Sequence, residues 1–305
     1  MTQHSILLLG ANGQVGHALK TSLAPLGDVT ACTRAELDLS LADNLPEAIA
    51  ALVARVKPAV IVNATAYTAV DQAESEPARA QLLNAKVPGL LARAAQAVGA
   101  CMVHYSTDYV FDGKQSEPYR ETDAPNPLSV YGRTKLEGEQ AVALACRRHL
   151  ILRTSWVVSA HGGNFLKTML KAGQERDSLR VVADQFGAPT SARLIAQATA
   201  DILAQMLGQP AEDPRWGLYH LVAAGQTNWH AYAQYVLSQA RSAGWPVKVD
   251  PAHIAAIAAA DYPVAAVRPM SSRLDTQKIQ QVFGLTLPDW KQGVDEVLAD
   301  LKQAL

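Results

Sequence analysis

The chain has 305 residues, nearly half of them hydrophobic, which is ample for one large α/β unit or a large unit with a smaller lobe. Its 27 Lys and Arg against 28 Asp and Glu leave a net charge of −1, so no basic excess points to a nucleic-acid partner and no block of like charge reads as a tail. Cys32, Cys101 and Cys146 are odd in number and lack metal-ligand spacing, and they read as reduced thiols of a cytoplasmic protein. Met1 to Gly10 carries no basic region followed by a long apolar stretch, so no signal peptide is expected. No apolar run approaches the roughly 18 residues that span a bilayer.

Ile6–Leu9 is a continuous apolar run that ends at Gly10, and a helix-like segment follows to about Ala24. Val29–Cys32 and Ala59–Val62 are further short runs. A helical stretch runs from about Ala78 to Val98, with Leu82, Leu83, Leu90 and Leu91 at helical spacing. Cys101–Tyr105 is a fourth strand, Leu128–Ala145 a helix and His149–Arg153 a fifth strand. Strands without polar alternation, separated by helices, predict a Rossmann-type, doubly wound parallel sheet covered on both faces. Beyond them the chain predicts helices at Asn164–Gly173, Ser191–Leu207, Trp229–Arg241 and Trp290–Ala304, with a strand at Leu218–Val222. Pro246, Pro251, Pro263 and Pro269 punctuate a smaller, irregular C-terminal lobe, in which Ala255–Ala260 reads as a short helix. The expected division is a dinucleotide-binding unit at 1–156, rejoined by 187–222, and a substrate-binding lobe at 157–186 and 223–305.

Gly10-Ala11-Asn12-Gly13-Gln14-Val15-Gly16 places G-x-x-G-x-x-G between a strand and a helix. Gly10 permits the turn, Gly13 lets main chain approach a pyrophosphate, and Gly16 allows close helix–strand packing. The helix start then offers free N–H groups to the phosphates. This pattern predicts NADPH or NADH as cofactor. At the end of the second strand Arg34 stands where a guanidinium could pair with a 2′-phosphate, and Asp38 and Leu39 follow toward the adenine.

Tyr131-Gly132-Arg133-Thr134-Lys135 sets a tyrosine and a lysine on one helix face. A free phenol titrates near about 10, and a neighbouring ammonium favours its phenolate. Tyr105 to Phe111 ends the fourth strand at the edge where ligands of doubly wound sheets bind, and a hydroxyl there could polarise a carbonyl. Loop, hydroxyl and Tyr–Lys pair in this order point to hydride transfer. His104 reads as a core histidine, Arg153 and Arg273 as ion-pair partners. The histidines form no metal cluster, and Ser106 lacks a nucleophile elbow.

The chain resembles the extended short-chain dehydrogenase/reductase family, and within it the dTDP-4-dehydrorhamnose reductases. The likeness lies in the segments V-N-A-T-A-Y-T-A-V-D-Q-A-E at 62–74, H-Y-S-T-D-Y-V-F at 104–111, R-T-S-W-V at 153–157, D-Q-F-G-A-P-T at 184–190 and R-P-M-S-S-R-L-D at 268–275. It implies an oxidoreductase that reduces dTDP-4-dehydro-L-rhamnose to dTDP-L-rhamnose with NAD(P)H. Thr107, Tyr131 and Lys135 match the catalytic positions, with Tyr131 as proton donor. Gly13, Gln14, Val15, Asp38, Leu39, Ala66, Tyr67, Thr68 and Tyr105 match cofactor contacts. Thr107, Asp108 and Trp156 match sugar-nucleotide contacts, and Arg268 faces the substrate pocket. Some relatives join a dimer through magnesium held by acidic residues, where this chain has Ala18 and Arg193. A monomer or weak homodimer without metal or membrane association is therefore expected. Two other readings share the pattern: a reductase or epimerase of another nucleotide sugar, and a non-catalytic NADP-binding regulatory subunit like that of methionine adenosyltransferase.

Overall fold

The computed structural model describes residues 4–41 and 44–304. The reading of Met1–Gly10 as lacking a leader falls partly on Met1–Gln3, outside the described residues, as does Leu305 at the end of the expected lobe. Among the described residues, no helix is long and apolar enough to cross a membrane.

Six strands form one parallel sheet: β1 (His4–Leu9), β2 (Gly27–Cys32), β3 (Val60–Asn63), β4 (Cys101–Thr107), β5 (His149–Thr154) and β6 (Gly217–His220). Their spatial order is β2-β1-β3-β4-β5-β6, and every pairing is parallel. Alternate side chains of each strand enter different cores, which explains the unbroken apolar runs. Ile6, Leu8, Val62, Val103 and Leu152 pack with Leu19 and Leu23 of α1 (Gln14–Leu23). Leu7, Leu9, Ile61, Met102 and Ile151 pack on the other face with Ile49 and Val53 of α2 (Leu45–Val56). Both faces lie under helices, so neither selects for polar residues.

The chain first steps from β1 to β2, then returns past β1 to β3. That reversal opens a crevice at the carboxyl ends of β1 and β3, where doubly wound sheets bind ligands. Next come α3 (Val70–Ser75), α4 (Pro77–Gln81), a π turn at Leu82–Lys86 and α5 (Val87–Ala97). The helix predicted at 78–98 thus contains a π turn, which leaves Asn84 buried. α6 (Val130–Ala145) follows β4 and is capped by Ser129, whose hydroxyl accepts the Gly132 N–H at 3.1 Å.

Two glycines let α6 seat closely. A Cβ on Gly132 would lie 2.2 Å from the Tyr109 carbonyl oxygen, and one on Gly138 2.0 Å from that of Asn84. One turn past Lys135 on the same helix, Glu139 binds the Arg153 guanidinium of β5 with two hydrogen bonds, of 2.8 and 2.7 Å. Both residues are buried, and Arg153 also stands over the Phe111 ring. The expectation of an ion pair holds for Arg153 but, among the described residues, not for Arg273, which donates to Ser271, Gln226 and the Ser116 carbonyl.

The remaining helices are α7 (Phe165–Glu175), α8 (Ala192–Met206), α9 (Trp229–Ser242), α10 (Gln277–Phe283) and α11 (Trp290–Gln303). A third core gathers Leu166, Leu170, Tyr232, Val236, Trp290 and Val294 around α7, α9 and α11. α8 packs on the sheet beside α1, and Ile279 and Phe283 of α10 join the same cluster. The helix expected at Ala255–Ala260 is instead a strand at Ala255–Ile257, parallel to Arg180–Val182, followed by a 3₁₀ turn at Ala259–Asp261. Cross-strand hydrogen bonds and the Asp184 carboxylate, which accepts from the Ala259 N–H, outweigh the helix preference of alanine. α2, α3 and α10 have no counterpart among the sequence-predicted helices.

Breaking a buried, hydrogen-bonded ion pair from one side costs about 3–5 kcal/mol. Glu139→Gln is therefore expected to lower unfolding free energy by that amount in urea titration, whereas Glu139→Leu combined with Arg153→Met recovers most of it. A loss below 1 kcal/mol in Glu139→Gln would show that the pair does not anchor α6.

Candidate active site

A cavity of about 470 Å³ opens beneath the glycine turn. Gly10, Gly13, Arg34, Asp38, Leu39, Ala66, Tyr67 and Thr68 all line it, so the structure brings these predicted cofactor residues together. Gly10 and Gly16 cannot carry side chains: Gly10 has φ +80°, and a Cβ on Gly16 would fall 2.0 Å from the Gly10 carbonyl oxygen. The cradle fits a dinucleotide's phosphates, for which uncovered main-chain N–H groups at a helix start are the physical requirement. Arg34 reaches back to Asp38 at 3.3 Å and donates to the Ser40 hydroxyl at 3.2 Å. Hydrogen bonds from Ser40, and then the Arg34 guanidinium, hold the Asp38 carboxyl below its ordinary range. Gln14 and Val15 begin α1 beside the turn, and the Gln14 side chain accepts a hydrogen bond from Asn164 at 2.9 Å.

Asn84, which sequence reasoning missed, ties this cavity to α6. Its side chain accepts the Tyr67 N–H at 2.8 Å and donates to the Tyr67 carbonyl and the Thr134 hydroxyl, each at 3.2 Å. The strand end on the other side is set by Asn63, whose carboxamide oxygen accepts from the Thr65 N–H and hydroxyl and whose nitrogen contacts His104 at 3.2 Å. His104 is fully enclosed, and burial lowers its pKa well below the ordinary value. It is a core residue, as expected.

At the carboxyl end of β4 the Thr107 hydroxyl donates to the Asp108 carboxylate at 3.0 Å, and it acts on the Tyr131 phenol, whose pKa it lowers. It also accepts the Tyr109 N–H at 3.2 Å. Burial pushes the Asp108 carboxyl up to about 6, against hydrogen bonds from Ser272 and Thr107. Desolvation likewise pushes the Tyr131 phenol up to about 12, eased by Thr107 and reinforced by the Asp108 charge.

Lys135 differs from its sequence expectation. Its ammonium is buried and donates to the Tyr105 carbonyl oxygen at 2.5 Å, and burial lowers its pKa to about 8 against the pull of Glu139. The phenol it was expected to acidify stands high instead, chiefly because it is desolvated. Tyr105 offers the site its main chain; its hydroxyl meets that of Thr199 at 2.8 Å in the core.

A second cavity, of about 610 Å³, lies in the C-terminal lobe among Phe165, Met169, Trp229, Tyr262 and Arg268. Trp156, with φ +48°, stacks on Trp229 at 3.6 Å between ring centroids, in space that the missing side chain of Gly187 leaves free. It backs the ring that lines the cavity. The Arg268 guanidinium meets the Asp71 carboxylate of α3 at 2.7 Å.

Residues 4–303 match the family model described as RmlD substrate binding domain. Among curated relatives, the dTDP-4-dehydrorhamnose reductase of Escherichia coli strain K12 is 49% identical over 297 residues, covering 97% of this chain and 98% of that one. The enzyme of that name from Sinorhizobium fredii is 43% identical, covering 94% of each. A crystal structure of a dTDP-4-dehydrorhamnose reductase from Clostridium acetobutylicum superposes with a TM-score of 0.87 at 34% identity, covering 97% of this chain and 99% of that one. One from Bacillus anthracis, in complex with NADP, gives 0.85 at 31% identity, covering 98% of this chain and all of that one.

The charge on Lys135 has a testable cost. Ordinary lysine titrates near 10.5 and this one near about 8, so the folded chain holds fewer protons than the unfolded chain between those values. The penalty for burying it is full below pH 8 and fades as the pH rises toward 10.5. Lys135→Met should gain on the parent chain by up to about 3 kcal/mol at pH 7, less the lost hydrogen bond, with the gap closing by pH 10.5. Urea titrations at both pH values check this, and a gap independent of pH would refute it.

Proposed function

The chain belongs to the dTDP-4-dehydrorhamnose reductase family, and on that premise we propose that it reduces dTDP-4-dehydro-L-rhamnose to dTDP-L-rhamnose with hydride from NADPH or NADH. The observation that carries this reading is the cluster of Tyr131, Thr107 and Asp108 at the carboxyl edge of β4, in which the Thr107 hydroxyl donates to the Asp108 carboxylate. It stands in a chain that matches the named reductases nearly end to end.

Bound NADPH or NADH supplies the hydride that reaches carbon 4 of the sugar. Gly10, Gly13, Gln14, Val15 and Gly16 hold the pyrophosphate at the start of α1. Asp38, Leu39, Ala66, Tyr67, Thr68 and the main chain of Tyr105 border the rest of the dinucleotide. Arg34 is free to turn from Asp38 toward a 2′-phosphate, being mostly exposed.

Thr107 holds the carbonyl oxygen, and Tyr131 gives its proton to that oxygen as the carbonyl becomes an alcohol. A phenol near about 12 keeps its proton at neutral pH, which a donor must. Solvent then returns a proton to the phenolate. Lys135 fixes the β4 edge through the Tyr105 carbonyl and, when charged, stabilises the phenolate left behind. Asp108, Trp156 and Arg268 contact the sugar nucleotide, with its base in the cavity of the C-terminal lobe.

The same reading divides the chain into a dinucleotide-binding unit at 1–156 and 187–222 and a substrate lobe at 157–186 and 223–305, with α10 returning to the sheet. The enzyme works in the cytoplasm, where its three buried thiols stay reduced, as a monomer or weak homodimer. Arg193 is engaged by Asp300 and Glu296 of its own chain.

Tyr131→Phe is expected to lose turnover by about 10²- to 10⁴-fold while retaining cofactor affinity. NADPH or NADH oxidation across dTDP-, GDP- and UDP-linked 4-keto sugars measures it. Near-normal turnover in this variant removes Tyr131 as donor, and a preference for GDP- or UDP-sugars removes the proposed substrate.

A further inference from the structure

Asp71 has no part in the reaction described above, yet both of its carboxylate oxygens are used across the cleft. One meets the Arg268 guanidinium at 2.7 Å, and the other accepts the Ala266 N–H at 3.0 Å. These partners lie almost 200 positions away, in the segment that lines the lobe cavity. Asp71 belongs to α3, and the same short helix grips the catalytic helix. Glu74, one turn on, accepts the Val130 N–H at 2.8 Å, at the start of α6 and beside Tyr131. α3 is therefore a bracket with one end on the proton donor's helix and the other on Arg268.

Arg268 is not satisfied by this contact. Its Nε is buried without a hydrogen-bond partner, and a guanidinium presents five donors in a planar fork that suits phosphate oxygens. Its position fits such a partner. Arg268 lines the lobe cavity, and its charge acts on the Tyr109 phenol, whose ring stands edge-on to Tyr131 at 5.6 Å. A nucleotide sugar has its diphosphate between base and sugar. With the base in the lobe cavity and the sugar at Tyr131, the diphosphate passes Arg268.

We propose that Asp71 is a positioning residue that fixes Arg268 and the 266–268 main chain relative to Tyr131, so that Arg268 receives the diphosphate of a nucleotide sugar. This rests on the substrate reading given above. Both partners of the ion pair are partly exposed, and such pairs contribute little to stability. Removing the Asp71 charge should therefore move ligand affinity and leave the fold intact.

The test is calorimetric binding of dTDP and NADPH to the parent chain, Asp71→Asn, Arg268→Ala and the double variant, with melting temperatures alongside. Asp71→Asn should weaken dTDP binding by roughly tenfold, the scale of losing a charge-assisted contact. NADPH affinity should change less than twofold and the melting temperature little. The double variant should bind dTDP no more weakly than Arg268→Ala alone, since Asp71 acts through Arg268. Unchanged dTDP affinity in Asp71→Asn, or additive losses in the double variant, overturns the proposal. A parallel loss of NADPH affinity and thermal stability assigns Asp71 to the fold instead and overturns it equally. If the parent chain does not bind dTDP at all, the nucleotide-sugar reading fails first and takes this proposal with it.

Discussion

The seat of α6 against β4 and β5 is the constraint on which the site depends. Tyr131, Lys135 and Glu139 occupy successive turns of one helix face, so one rigid placement sets all three. Gly132 and Gly138 bring that face close enough to matter, because any Cβ there would collide with the Tyr109 or Asn84 main chain. Arg153 then locks the far end from β5. A glycine-lined contact alone could slide; a two-pronged guanidinium–carboxylate pair fixes position along the helix axis as well.

This placement buries three ionisable groups of different character within a few residues, and their environments separate their roles. Tyr131 keeps its proton because desolvation and the Asp108 charge both disfavour its phenolate. Lys135 is held close to the point where it can be charged or neutral, and its charge is sustained by Glu139 on the next turn. Reduction needs a donor that is protonated at the start and an environment that tolerates the phenolate afterwards. The usual picture of an ammonium that acidifies the phenol would favour the reverse reaction, in which tyrosine must begin as the base.

The sheet was legible because parallel strands buried on both faces leave continuous apolar runs, and the glycine spacing of 10–16 has a single steric meaning between a strand and a helix. The Tyr–Lys spacing and the Thr107 edge were legible for the same reason: local periodicity places them on one face or one strand end. Asn84 and Glu139 were not, because their importance comes from partners at Tyr67, Thr134 and Arg153 that only the fold supplies. The Ala255–Ala260 stretch misled, since alanine's intrinsic preference is weak and an available edge at Arg180–Val182 decides the outcome. Lys135 was placed correctly on its helix, but the balance of burial and charge that sets its protonation cannot be read from spacing.

The lobe and the sheet unit are coupled differently from the layers within each. The sheet's cores are apolar and continuous, whereas between the sheet-and-α8 cluster and the lobe cluster Leu194 is the residue that packs on both. Elsewhere Leu274 packs with Val110, Phe111 and Tyr119, and polar contacts add direction. Asn164 holds Gln14, His161 contacts the Asn12 carbonyl at 2.8 Å, and Arg268 reaches Asp71. The first two contacts fall on the glycine turn and the third on α3, so they lie at the two sides of the cavity beneath that turn. Apolar interfaces resist displacement in proportion to buried area, whereas a few hydrogen bonds fix direction and can exchange partners with ligand or water. A cleft held in this way keeps a defined opening, yet its walls can adjust to a bound sugar nucleotide without disturbing the cores that position Tyr131.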